Sequence, residues 1–188
     1  AAAALVALDQ WTTALAASFG PTFGLAFEGG AAFVDRGGGI YSGDGGWSFS
    51  TANGNLTLEQ TVDADQAANN RRLTANTSGI TAFKDQVGGS EALQSLTTDA
   101  GGSTVLGDAL TEPAMLVRTR GGGQDYGDPV VLGANTTVSE TGNGNITFNQ
   151  TVNADAAANN RTLAANAGGT TTFKAKVGLA QALQSLKT

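Results

Sequence analysis

The sequence predicts an all-β protein folded as a parallel β-solenoid. Three observations lead to this prediction: a long internal repeat, a shorter pattern that recurs within it, and a composition rich in strand and turn residues. In a solenoid each turn leaves an apolar surface that only the neighbouring turn can bury. We therefore expect a stack of similar turns and not a globule organised around one site.

The long repeat covers about half of the chain. Residues Asn143–Thr188 repeat residues Asn53–Thr98 without a gap, at an offset of 90 residues, and 29 of the 46 paired positions are identical. Apolar positions stay apolar between the copies, whereas charges vary: Asp63, for example, becomes Asn153. A near-copy at a fixed offset is typical of a repeat architecture.

A shorter pattern divides the 90 residues into units that begin at Asn55, Gly79, Ser103 and Gln124. The units are 24, 24, 21 and 21 residues long, so the predicted turns have about 21–24 residues and the copies lie four whole turns apart. Two or three short strands with tight turns fit into such a length. Helical crossovers of the kind found in βαβ units are not visible.

Alternation within each unit predicts which side chains point inward. We expect Phe83 and its counterpart Phe173 to be buried in the interior. Asn69–Asn70 and Asn159–Asn160 are interpreted as turns, because Asn tolerates left-handed backbone. The other predicted inward residues are Leu56, Leu58, Val62 and Val87, with their counterparts Ile146, Phe148, Val152 and Val177.

The first 34 residues differ from the rest, which suggests a division into residues 1–34 and a solenoid of residues 35–188. Residues 1–34 contain no Lys or Arg and hold four of the eight Phe residues. We expect them to form either an aromatic cap or a strand that pairs with another molecule. The apolar run Ala1–Leu8 is too short for a membrane span and lacks the basic start of a signal peptide.

Composition argues against several functions. The net charge is −6, and the ten Lys and Arg residues form no basic stripe, so nucleic-acid binding is not expected. The chain has no His and no Cys, which removes the commonest metal ligands and the usual general base. We predict no catalytic residue, no metal site and no cofactor, and therefore not an enzyme.

Three motifs resemble functional sites but have simpler interpretations. Asp63 and Asp65 resemble a catalytic carboxylate pair, yet one member is Asn in the second copy. Gly121–Asp128 and Ser42–Gly46 resemble calcium loops but lack the regularly spaced Asp of that repeat, so turns are favoured. Thr170–Thr172 could begin an ice-binding face, although one triplet is not a regular array.

The phrases NGNITFNQTVNADAAANNRTL, AGGTTTFKAKVG, ALQSLTTDAGG and VLGANTTV resemble the β-strand repeats of very large secreted and surface proteins of Gram-negative bacteria, the filamentous-haemagglutinin-like adhesins. The resemblance covers about residues 37–188. It implies a right-handed β-helix that is exported and serves in adhesion, biofilm or fibre structure. It brings no catalytic residues.

The sequence therefore favours a secreted or cell-surface structural or adhesive protein that associates head to tail into a fibre. The last unit carries no recognisable cap, and the Ala-rich run Ala1–Leu8 could complete it in a neighbouring molecule, so deleting this run is expected to abolish filaments. Two alternatives remain: a passenger fragment of a large adhesin that binds host or matrix glycans, and a carbohydrate-active enzyme on a β-helix.

Overall fold

The structure is a computed structural model. It describes residues 23–27, 33–35, 40–42, 47–51, 54–66, 68, 70–108 and 114–188, with side-chain environments from residue 47 onward. The predicted cap or strand in residues 1–34 and the run Ala1–Leu8 lie largely outside these ranges, as do Asn69 and residues 43–46. No helix in the described ranges is long and apolar enough to cross a membrane.

The chain is all-β, as predicted. Its only helix in the described ranges is a 3-10 turn, Ala157–Asn159. The strands are β1 (Phe23–Phe27), β2 (Phe33–Asp35), β3 (Ile40–Ser42), β4 (Trp47–Thr51), β5 (Leu56–Leu58), β6 (Val62–Ala64), β7 (Arg72–Thr77), β8 (Ile80–Phe83), β9 (Leu93–Thr98), β10 (Ser103–Leu106), β11 (Ala114–Tyr126), β12 (Val130–Leu132), β13 (Asn135–Glu140), β14 (Ile146–Phe148), β15 (Val152–Ala154), β16 (Thr162–Ala167), β17 (Thr171–Phe173) and β18 (Ser185–Lys187).

All listed strand pairs are parallel, and they stack into three faces that the chain visits in the order A, B, C. Face A contains β2, β5, β8, β10, β12 and β15. Face B contains β3, β6, the start of β11, β13, β16 and β18, with Val87 bridging Val62 and Val117. Face C contains β1, β4, β7, β9, the end of β11, β14 and β17. The β-solenoid prediction is confirmed, whereas its handedness stays a prediction.

The register on face A measures the turns directly. The stacked residues are Phe33, Leu56, Thr81, Thr104, Val130 and Val152, so five successive turns take 23, 25, 23, 26 and 22 residues. The turns are therefore longer than the predicted sequence of 24, 24, 21 and 21 residues. Four turns counted from Leu56 end at Val152 and not at its repeat counterpart Ile146.

The 90-residue repeat consequently does not correspond to a whole number of turns. Leu56 lies on face A, between Phe33 and Thr81, whereas Ile146 lies on face C, between Gln124 and Thr171. Eleven strand positions separate the copies, which is three and two-thirds turns. The second copy is thus rotated by one face. This rotation is tolerated because every face needs the same alternation of inward and outward residues.

The inward residues form one continuous core. Phe83 is fully buried, as predicted, and Phe173 is only partly buried against the core because it lies in the last described turn. The Phe173 ring stacks on Phe148, and Phe148 stacks on Tyr126, both with ring centroids 4.8 Å apart. This aromatic stack runs along the interior of face C.

Candidate functional site

Asp63 is a structural acceptor in this fold. Its Oδ1 accepts hydrogen bonds from the backbone N–H groups of Ser90 (2.9 Å) and Glu91 (3.2 Å) in the following turn. In the second copy Asn153 Oδ1 binds the equivalent N–H group of Ala180 at 2.9 Å. The contact needs one acceptor oxygen and no charge, which explains why Asp and Asn alternate at this position.

Asp65 is likewise occupied by a structural partner. Its two carboxylate oxygens accept hydrogen bonds from Arg71 Nε (2.6 Å) and Nη2 (2.7 Å), and Asp155 makes the same two-point contact with Arg161 at 2.9 and 2.8 Å. The hydrogen bonds from Arg161 hold the pKa of Asp155 below its ordinary value. The Asp63–Asp65 motif therefore fastens loops between strands in each copy.

The predicted Asn turns are confirmed where they are described. Asn70 and Asn160 have φ angles of 53° and 50°, which is the left-handed region that Asn tolerates better than most residues. Asn160 also ends the 3-10 turn of the second copy.

The segment Gly121–Asp128, considered as a calcium loop, belongs mainly to strand β11. Asp125 points outward and accepts a hydrogen bond from Asn149 Nδ2, while Asn149 Oδ1 accepts one from Lys174 Nζ at 2.7 Å. Across the described residues, no three acidic side chains converge on a common point. Of the second proposed loop, Ser42–Gly46, only Ser42 lies inside the described ranges.

Asp128 is a buried carboxyl group, and the sequence did not single it out individually. Its Oδ1 accepts hydrogen bonds from the hydroxyls of Thr104 (2.6 Å) and Thr98 (3.1 Å), whereas its Oδ2 has no partner in the described part of the chain. Burial is the main cause that raises the pKa of Asp128, and the negative charge of Asp99 adds to it. The buried hydroxyl of Thr81, stacked on Thr104, also has no partner there.

The surface carries one open depression of note, with a volume of about 360 Å³. Gly121 and Gly122 line one side, and Gly144 and Asn145 line another. The described tryptophan, tyrosine and phenylalanine side chains are buried or partly buried in the core and do not line it. The depression thus lacks the aromatic platform expected of a glycan-binding groove.

The outward threonines do not form an uninterrupted row. On face C, Thr172 lies beside Thr147, but the next residue along this row is Asp125, followed by Thr97. A carboxylate therefore interrupts the hydroxyl array considered in connection with ice binding.

The last described turn exposes a surface that the repeat covers elsewhere. It consists of β17, Val177 and β18, whose counterparts 90 residues earlier are buried by the turn that follows them. Leu96 is 0% exposed, and its counterpart Leu186 is 44% exposed. Val87 and Phe83 are also fully buried, whereas Val177 and Phe173 are only partly buried. This end surface is the clearest candidate for an interaction.

No protein-family model matches the chain, and no curated protein or solved structure is similar enough to match it. The fold and the contacts described above define it as a β-solenoid repeat protein.

Proposed function

We propose that the chain is an extracellular structural or adhesive repeat protein that associates head to tail with copies of itself. The observation that carries this proposal is the end surface formed by β17, Val177 and β18. Its 90-residue counterpart is complementary to a parallel turn, because Ile80–Phe83 pair with Ser103–Leu106 in this chain. Unpaired strand edges and exposed apolar side chains favour the addition of another strand layer.

A second copy fits this surface in phase. The last described turn runs through faces C, A and B, as β17, Val177 and β18. The first described turn also runs through C, A and B, as β1, β2 and β3, and these strands stand at the ends of their strand orders. Stacking one copy on another therefore places β1 over β17 without rotation. Such contact is heterologous and leads to a filament.

The resemblance of the repeats to filamentous-haemagglutinin-like adhesins supports an exported product at the cell surface or in a biofilm. The polar groups that looked catalytic serve the backbone instead, and this supports a role without enzymatic activity. The alternative is a passenger fragment of a large adhesin that binds host or matrix glycans. Glycan-array binding by strictly monomeric protein would favour that alternative over self-association.

Sedimentation velocity over a range of concentrations tests the proposal. Leu186→Lys places a charge on the end surface and should abolish association, because burying an unpaired charge is costly. Ile80→Lys is a matched control, since Ile80 is 42% exposed but lies on the side of the solenoid. Wild-type protein that stays monomeric at every concentration would contradict the proposal, and so would equal effects of the two substitutions.

Engineered disulfides test the arrangement of the copies, and the absence of native Cys makes the background clean. Along face C, Gly24 and Thr172 occupy the two ends of one row of outward register positions. Neighbouring parallel strands lie about 4.8 Å apart, within disulfide range. Gly24→Cys with Thr172→Cys should give covalent oligomers, whereas Ser48→Cys with Thr172→Cys should not. Association without the first cross-link would reject this register but keep self-association.

A further inference from the structure

A second buried carboxylate, Glu140, is held by main-chain groups alone. It is the last residue of β13, and only 3% of it is exposed. Its Oε1 accepts hydrogen bonds from the N–H groups of Gly121 and Gly142, the latter at 3.0 Å, and its Oε2 accepts one from Gly144 at 2.7 Å. None of the ion pairs found among the described residues involves Glu140.

The glycines around this carboxylate leave no room for side chains. A Cβ atom at Gly142 would lie 2.7 Å from the Gly121 nitrogen, and one at Gly144 would lie 2.9 Å from Glu140 Cδ. In the next turn a Cβ at Gly168 would lie 1.6 Å from the Gly142 oxygen. The site is therefore built from bare backbone, and its walls come from three successive turns.

The chemistry of the corner matches a carboxylate. Converging backbone N–H groups form an anion-binding concavity, and hydrogen bonds to a charged acceptor are stronger than those between neutral groups. Three donors on two oxygens also compensate much of the cost of burying the group. Gly121 lies in the preceding turn, so the carboxylate joins two turns of the solenoid. Gly121 and Gly144 also line the open depression described above.

We propose that this glycine corner is a binding site for a planar carboxylate group and that Glu140 is its built-in ligand. The N–H groups of Gly121, Gly142 and Gly144 form the receptor. When the side chain is shortened, the receptor persists without its ligand. A free carboxylate small enough to enter from the depression, such as formate, then takes the vacated position.

Formate rescue of Glu140→Ala tests this inference. The variant should melt at a lower temperature than wild type in sodium chloride, because three buried N–H groups lose their acceptor. Replacing chloride by formate at equal ionic strength should raise its melting temperature in a saturable way, with half-saturation on the order of millimolar for so small a ligand. Wild type should show no saturable rise, since Glu140 already fills the site.

Two further measurements decide the cases that melting of this variant leaves open. Glu140→Gln keeps the volume of the side chain, so formate should not restore its stability. If Glu140→Ala does not fold in chloride, circular dichroism should show refolding in formate. Equal formate effects on wild type and Glu140→Ala, or no effect on the variant in either assay, would overturn the proposal.

Discussion

The repeat provides a matched pair of core substitutions, Phe83→Ala and Phe173→Ala. The two rings occupy equivalent positions in the copies, but Phe83 is fully buried and Phe173 is only partly buried. Truncating a fully buried Phe typically costs about 3–5 kcal/mol. Phe173 already has one side open, although its other side stacks on Phe148 at 4.8 Å. We therefore expect a cost of roughly half as much, about 2 kcal/mol, for Phe173→Ala.

Urea unfolding followed by circular dichroism measures both costs, at a protein concentration low enough to keep the chain monomeric. Phe83→Ala should lower the free energy of unfolding by clearly more than Phe173→Ala. At a concentration that permits association the difference should shrink, because a neighbouring copy would cover Phe173. Equal costs in dilute monomer, or a larger cost at Phe173, would refute the assignment of Phe173 to an uncovered turn.

Three other predictions concern polar groups and metals. Asp63→Asn should change the free energy of unfolding by less than about 0.5 kcal/mol, because Asn153 makes the same contact, whereas Asp63→Ala should cost about 1–3 kcal/mol; urea titrations that fail to separate the two variants would contradict this role. Burial raises the pKa of Asp128, so the folded state binds its proton more tightly than the unfolded state does, and this group's contribution to stability is greatest below the unfolded pKa and declines as pH rises toward the folded pKa. Asp128→Asn should remove that decline from a pH series of melting temperatures, and an unchanged pH profile would count against it. EDTA should leave the melting temperature unchanged, and a large fall would reveal a bound cation.

Sequence reasoning identified the fold class because strand alternation and the 90-residue repeat are both properties of the chain alone. It placed Phe83 in the core correctly and interpreted Asn70 and Asn160 as turns. It misjudged the turn length, because the repeat counts strands and the three faces accept one another's strands. Leu56 and Ile146 are equivalent in sequence and lie on different faces for that reason.

The polar corners were beyond the reach of the sequence. Glu140 and Asp128 have no repeat counterparts of the same type, since the residue 90 positions before Glu140 is Ser50. Their partners come from other turns: Gly121 for Glu140, and Thr98 and Thr104 for Asp128. Finding these contacts requires the register between turns. The one sequence signal was the concentration of glycines on either side of Glu140.

The most direct test of the rotated repeat is intramolecular disulfide formation on face A. Val105 pairs with Val131 in the structure, so Val105→Cys with Val131→Cys should form a disulfide readily under mild oxidation. Copies that lay four whole turns apart would instead place the Gln124–Tyr126 segment next to Val105. Mass spectrometry of monomeric protein should therefore show the Val105–Val131 cross-link and none for Val105→Cys with Asp125→Cys. The reverse result would contradict the three-faced register and the one-face rotation of the second copy.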